Sequence, residues 1–227
     1  TRRSSDLTFV FSKKDGQLKD VSVNNRKISF ANGPRFIGAR RADRSLDQFY
    51  NHDDEKAKVK DRTYSEFTDA AVFTKLDVKE EGRNLILTAN YKLGNLDKAQ
   101  WTIHPDGMAT LDYTYNFSGV VDLMGICFDY PEEQVLSKRW LGAGPYRVWQ
   151  NRIHGAQYDI WENDYNDPIP GETFTYPEFK GYFGSVSWMS IRTKERTISL
   201  TNETPDSYIG VYQPRDGRDR LLYTLPE

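Results

Sequence analysis

The chain has 227 residues, 28% of them charged and 37% hydrophobic, a composition typical of a folded protein rather than of a disordered one. Its formal net charge is -2 and its basic residues are scattered, which argues against nucleic acid as a partner. No apolar run approaches the length of a membrane span and no secretory signal is evident, so a membrane is not an expected partner either.

Short alternating segments separated by turn residues fill the N-terminal half. Strands are predicted at 7–11, 18–23, 26–30, 72–78, 84–93, 98–105 and 108–117. Dipeptides such as Asp15-Gly16 and Asp106-Gly107 favour tight turns between them. The charged stretch 44–62 is predicted to be a long surface excursion.

The C-terminal half continues the same pattern. Strands are predicted at 123–130, 135–140, 183–192, 197–202, 208–213 and 221–225. No segment of helical period is convincing, and no linker interrupts the series. The sequence therefore predicts an all-β fold, a large antiparallel β-sandwich, built as one domain over residues 1–227.

The stretch WLGAGPYRVWQNR, residues 140–152, combines two glycines and a proline with aromatic and basic side chains. A phosphate-binding loop would need a following helix and a Lys-Ser or Lys-Thr pair, and both are missing. Two interpretations stay open. The stretch is a structured turn between strands, or it is a turn that aims Tyr146, Arg147, Trp149 and Arg152 at a ligand.

The histidines and the single cysteine do not indicate a metal site or a cysteine nucleophile. His52, His104 and His154 are too far apart in sequence for metal-ligand spacing. His104 is expected to be structural, whereas His154 lies near enough to the glycine stretch to face a site. Cys127 is expected to be a buried small hydrophobe rather than a nucleophile.

Four carboxylates cluster in the segment YDIWENDYNDPIPGE, at Asp159, Glu162, Asp164 and Asp167. The segment is predicted to be a loop, and three roles stay open for it: a solvated surface, ligands for sugar hydroxyls or a cation, and catalysis. The spacing and central glycine of a calcium loop are absent. No metal ligand is assigned, and no cofactor is expected.

Two segments of the chain resemble a known family. WLGAGP with a following Asn-Arg is similar to the pattern W-x-G-x-G-P…DR. Pro177, Gly181, Val186 and Trp188 are similar to the pattern P-Q-E-x-G-x-R-x-x-V-R-W. The run FVFSKKDGQLKDVSVNNRKI resembles the opening of the same family, the C-terminal small-chain domain of glycoside hydrolase family 2 β-galactosidases.

The resemblance implies a galactose-mutarotase-like supersandwich and a non-catalytic domain. In that family the acid/base and nucleophile glutamates lie in a separate barrel, against which this domain would pack. A galactoside-like carbohydrate and the catalytic domain of a parent enzyme are therefore the expected partners. The compartment stays open, and a periplasmic or extracellular one would follow if the parent degrades polysaccharides. The candidate carbohydrate-binding residues are Tyr146, Arg147, Trp149, Arg152, His154, Glu178 and Lys180.

The chain also departs from the family pattern. Phe179 and Phe183 stand where the family has Glu and Arg, and Arg147 stands where an acidic residue is common. Two alternatives therefore stay open: a stand-alone carbohydrate-binding module, and an aldose mutarotase or epimerase with His154 as acid and Glu178 as base.

Overall fold

A computed structural model describes residues 2–4, 6–41, 64–68, 70–118, 123–145, 154–164, 182–204, 207–211 and 222–225. The strands are β1 Arg2–Ser4, β2 Leu7–Phe11, β3 Leu18–Val23, β4 Arg26–Ile28, β5 Ala31–Arg41, β6 Tyr64–Thr68, β7 Val72–Glu81, β8 Asn84–Lys92, β9 Leu96–Ile103, β10 Ala109–Tyr115, β11 Leu123–Asp129, β12 Val135–Gly144, β13 Gln157–Asp164, β14 Tyr182–Phe183, β15 Trp188–Thr193, β16 Thr197–Thr201, β17 Tyr208–Gly210 and β18 Leu222–Leu225. A 3-10 turn, Glu132–Gln134, precedes β12.

The strands form three antiparallel sheets. The large sheet has ten strands in the order β1-β2-β3-β5-β11-β18-β17-β14, with β4 added beside β3 and β6 beside β5. The meander sheet has the order β10-β9-β8-β7, and the glycine sheet, named for the residues of β12, has the order β13-β12-β15-β16. The predicted all-β antiparallel sandwich is confirmed.

Aromatic contacts join both smaller sheets to the large one. Trp101 of the meander sheet meets Phe128 of the large sheet edge to face, with ring centroids 6.0 Å apart. Trp140 of the glycine sheet packs on Phe183 of the large sheet at 4.6 Å. The buried apolar cluster draws residues from all three sheets, and this removal of apolar surface from water is the main force that holds the sheets together.

Tight turns join several strands at Asn or Gly residues, including the turn predicted at Asp106-Gly107. Asn24 and Asn25 both adopt positive φ, 51° and 62°, in the two-residue connection between β3 and β4. Gly82 and Gly107, with φ of 61° and 93°, lie in the turns after β7 and β9. Left-handed backbone costs Gly and Asn less than other residues, so these turns follow from local sequence.

The strand predicted at 108–117 is present as β10, which ends at Tyr115, and it has two distinct faces. Leu111, Tyr113 and Tyr115 are partly buried, while Asp112 and Thr114 are exposed. The alternation follows from the pleat, which sends successive side chains to opposite faces.

Two predictions about local structure were wrong. Residues 141–144 of the glycine stretch extend β12 rather than forming a turn, and residues 157–164 of the predicted acidic loop form β13. Tertiary contacts described below override the local signals of glycine, Asp and Asn. The predicted excursion at 44–62 and His52 lie outside the described residues. No helix in the described ranges is long and apolar enough to span a membrane.

Candidate functional site

Strand β12 carries the glycine stretch through the centre of its sheet. Gly142 pairs with Asp159 and Gly144 with Gln157, so the ladder continues to the Gly144–Pro145 peptide bond, which is cis. Glycine is required at Gly144 because a Cβ there would lie 2.3 Å from the indole of Trp161. The two glycines therefore serve close packing rather than a tight turn.

Two indole N–H groups donate hydrogen bonds to backbone carbonyls of this strand. Trp140 is fully buried, and its Nε1 donates to the carbonyl of Ala143 at 3.0 Å. Trp161 Nε1 donates to the carbonyls of Gly142 and Gln157, each at 3.2 Å. Both strands that lead to and from residues 145–156 are thus fixed by the same tryptophan side chain.

The opposite side of β12 is held by the backbone that precedes β15. The N–H of Ala143 donates to the carbonyl of Gly184 at 3.0 Å, and the N–H of Ser187 donates to the carbonyl of Leu141 at 2.9 Å. The last residues of β12 therefore lie beside the backbone of residues 184–187.

Most of the predicted carbohydrate-binding residues fall within residues 146–153 and 165–181. Tyr146, Arg147, Trp149, Arg152, Glu178 and Lys180 lie outside the described residues, as does Asp167, and their roles stay predictions. His154 is described, and it lies exposed in the turn that leads to β13. The pairing of His154 as acid with Glu178 as base also stays a prediction.

The other singled-out side chains are placed as follows. His104 Nε2 lies 3.1 Å from the hydroxyl of Thr110, across the turn between β9 and β10, which agrees with a structural role. Cys127 is 3% exposed, so the expectation of a buried cysteine is confirmed.

The acidic residues of β13 do not converge. By the alternation of the strand, Asp159 lies on the face of Trp161, whereas Glu162 and Asp164 lie on the other face. Asp159 Oδ1 accepts the N–H of its neighbour Ile160 at 2.7 Å. Within the described ranges there is no group of three or more His, Cys, Asp or Glu side chains that could hold a metal ion.

The outer face of the glycine sheet carries a surface that the sequence analysis missed. Tyr158 and Ile160 of β13 are 59% and 48% exposed, and they stand beside the partly exposed Leu141 and Trp188. The sequence did contain a sign of this strand, because Tyr158, Ile160 and Glu162 occupy every second position, as residues on one face of a strand do. It was hidden because the segment's Asp and Asn residues favoured a loop.

Comparison with known families places the chain among relatives of a known enzyme component. A family described as "Beta galactosidase small chain" matches residues 3–211, which is most of the chain. No curated protein matches the chain significantly.

Proposed function

This chain belongs to the β-galactosidase small-chain family, and we propose that it is the non-catalytic C-terminal domain of a family 2 glycoside hydrolase. In this proposal residues 1–227 fold as one domain, which packs against a catalytic barrel carried elsewhere in the parent enzyme. The shared buried cluster of the three sheets supports a single domain. A galactose-mutarotase-like supersandwich would suit the ten-stranded sheet and its two four-stranded partners.

The observation that carries the proposal is the fixed anchor at the end of β12. Two indoles and the backbone around Gly184 hold residues 141–144 by hydrogen bonds on both sides. Sites are more precise when rigid elements position them. An anchor of this kind suits a domain whose task is to present loops to a neighbouring active site rather than to perform the chemistry itself.

The proposed ligand of those loops is a galactoside-like sugar. Tyr146 and Trp149 would stack on the apolar face of a sugar ring, and Arg147 and Arg152 would donate to its hydroxyls. His154, Glu178 and Lys180 would complete the polar rim of the same site.

The proposal is tested by combining the chain with the catalytic part of its parent enzyme. We expect the pair to hydrolyse a chromogenic β-galactoside faster than the catalytic part alone, and the chain alone to hydrolyse none. Trp149→Ala should raise KM because it removes a stacking ring, whereas Trp149→Phe should keep most of the affinity. Hydrolysis or rapid anomer interconversion by the isolated chain would contradict a non-catalytic role.

A stand-alone carbohydrate-binding module is a second candidate, favoured by the exposed rings on the outer face of the glycine sheet. It predicts sugar affinity in the isolated chain and no gain in activity when the catalytic part is added.

A further inference from the structure

The register of the glycine sheet aligns apolar side chains in a row across three strands. Leu141 of β12 lies opposite Ile160 of β13 on one side and opposite Trp188 of β15 on the other. Side chains of paired residues share a face, so these three form a row perpendicular to the strands. Tyr158 lies on the same face of β13, two residues before Ile160 and beside one end of the row, and we call these four residues the outer platform.

The outer platform is not part of the protein's core. Along β15, Met189 and Ile191 are fully buried and contribute to the apolar cluster, while the alternate residue Trp188 stays partly exposed on the other face. Tyr158 and Ile160 remain about half exposed. Packing among the described residues therefore does not account for this apolar face.

A polar row runs beside the platform. Arg139 pairs with Glu162 across the strands on one side and with Ser190 on the other, and Ser190 continues to Ser199 on β16. The two serine hydroxyls lie 3.0 Å apart. The row carries one positive and one negative side chain, so it offers donors and acceptors without a net charge.

We propose that the outer platform binds a neutral oligosaccharide that lies across the strands. The apolar row would stack on sugar rings, and the polar row would exchange hydrogen bonds with hydroxyls along one side of the chain. The apolar row crosses two strand intervals, roughly 10 Å, and the polar row crosses three, roughly 14 Å, which suits at least two linked rings better than one. A strongly charged partner would find no complementary charge here.

The geometry of Tyr158 supports a preformed surface. Its hydroxyl lies 2.6 Å from the hydroxyl of Ser187, on the neighbouring connection to β15. This hydrogen bond limits the rotation of an exposed ring before any ligand arrives, so less conformational entropy is lost on binding. This proposal rests on the proposed function only for the class of ligand. The residues of the outer platform are different from the candidate carbohydrate-binding residues named in the sequence analysis.

The test is a titration of the whole chain with galactotetraose, cellotetraose and methyl β-galactopyranoside, followed by tryptophan fluorescence and calorimetry. We expect a tetraose to bind more tightly than the monosaccharide. Trp188→Ala should weaken that binding by about tenfold, and Trp188→Phe by much less. Tyr158→Ala should weaken it as well. Met108→Ala, which truncates another exposed side chain in the turn after β9, should not.

The proposal is overturned if no oligosaccharide binds, or if Trp188→Ala binds as tightly as the unaltered chain while its melting temperature is unchanged. It is also overturned if the parent's catalytic part shields Tyr158 and Trp188 from modification, since the face would then be a protein interface. Activity gained with the catalytic part does not depend on these variants, so the two proposals can fail separately.

Discussion

The carboxylate of Glu195 accepts two hydrogen bonds from Ser29, from its backbone N–H at 2.9 Å and from its hydroxyl at 2.7 Å, although 166 positions separate the two residues. The buried hydroxyl of Tyr130 donates to the same carboxylate at 2.8 Å. Glu195 lies in the turn between β15 and β16, whereas Ser29 follows β4. The contact therefore ties the glycine sheet to the large sheet.

These donors make the contact sensitive to acid. Burial tends to raise the pKa of Glu195, but the hydrogen bonds from Ser29 and Tyr130 outweigh it, so the pKa lies below its ordinary value of 4.5. A carboxyl whose pKa is lowered on folding stabilises the protein fully above its unfolded pKa. That contribution is lost as the pH falls from about the ordinary value through the lowered one.

We predict that Glu195→Gln lowers the free energy of unfolding at neutral pH by about 2 kcal/mol, because charge-assisted hydrogen bonds are lost. The variant should also lose less stability than the unaltered protein when the pH falls below 4.5. Urea denaturation across this pH range measures both effects. Glu203→Gln, at an exposed carboxylate, is the matched control. Parallel pH profiles for the two variants would contradict the assignment.

A second prediction concerns the glycine beneath Trp161. Gly144→Ala places a Cβ within 2.3 Å of the indole, and overpacking of this kind costs about 1–3 kcal/mol. In a Trp161→Ala background the same substitution should cost much less, because the ring is absent. Thermal unfolding of the four proteins gives the coupling between the two sites. Additive costs would show that the indole does not impose the glycine.

A third prediction compares two buried tryptophans. Trp140 Nε1 donates to Ala143, whereas Trp101 Nε1 is buried with no acceptor within the part of the chain that the structure describes. Replacement by Phe removes similar ring volume in each case but a satisfied hydrogen bond only at Trp140. We expect Trp140→Phe to destabilise by about 1–3 kcal/mol more than Trp101→Phe in urea denaturation. The reverse order would mean that Trp101 has an acceptor.

A fourth prediction concerns the ion pair on the large sheet. Both terminal nitrogens of Arg35 donate hydrogen bonds to the carboxylate of Asp129, one to each oxygen. Arg35 Nη2 also lies 3.8 Å from the sulfur of Cys127. Burial lowers the pKa of Arg35, but the hydrogen bond to Asp129 outweighs it and the pKa is raised, so the guanidinium stays charged. The ion pair thus holds the guanidinium in contact with the thiol.

Arg35→Ala should therefore speed the reaction of Cys127 with an aromatic disulfide reagent. Arg35→Met, which loses the charge but keeps most of the length, should react more slowly than the Ala variant. Absorbance of the released thiolate reports the rate. Equal rates for Arg35→Ala and the unaltered protein would show that another part of the chain covers the thiol.

Local residue types determined much of the fold. The Asn24-Asn25 turn and the two faces of β10 follow from backbone sterics and from the pleat, which act over a few neighbouring residues. The same local rules misjudged residues 141–144 and 157–164, since glycines, Asp and Asn all favour turns in isolation.

Only the tertiary structure decided what those two segments become. Gly144 lies in a strand because the ring of Trp161, seventeen positions away, fills the space that a side chain would occupy. β13 forms because β12 offers it a ladder of hydrogen bonds, which outweighs the turn preferences of its residues. The outer platform likewise exists only once register places Leu141 between Ile160 and Trp188. Contacts between distant residues are set by which strands pair, and the alternation within any single strand does not contain that information.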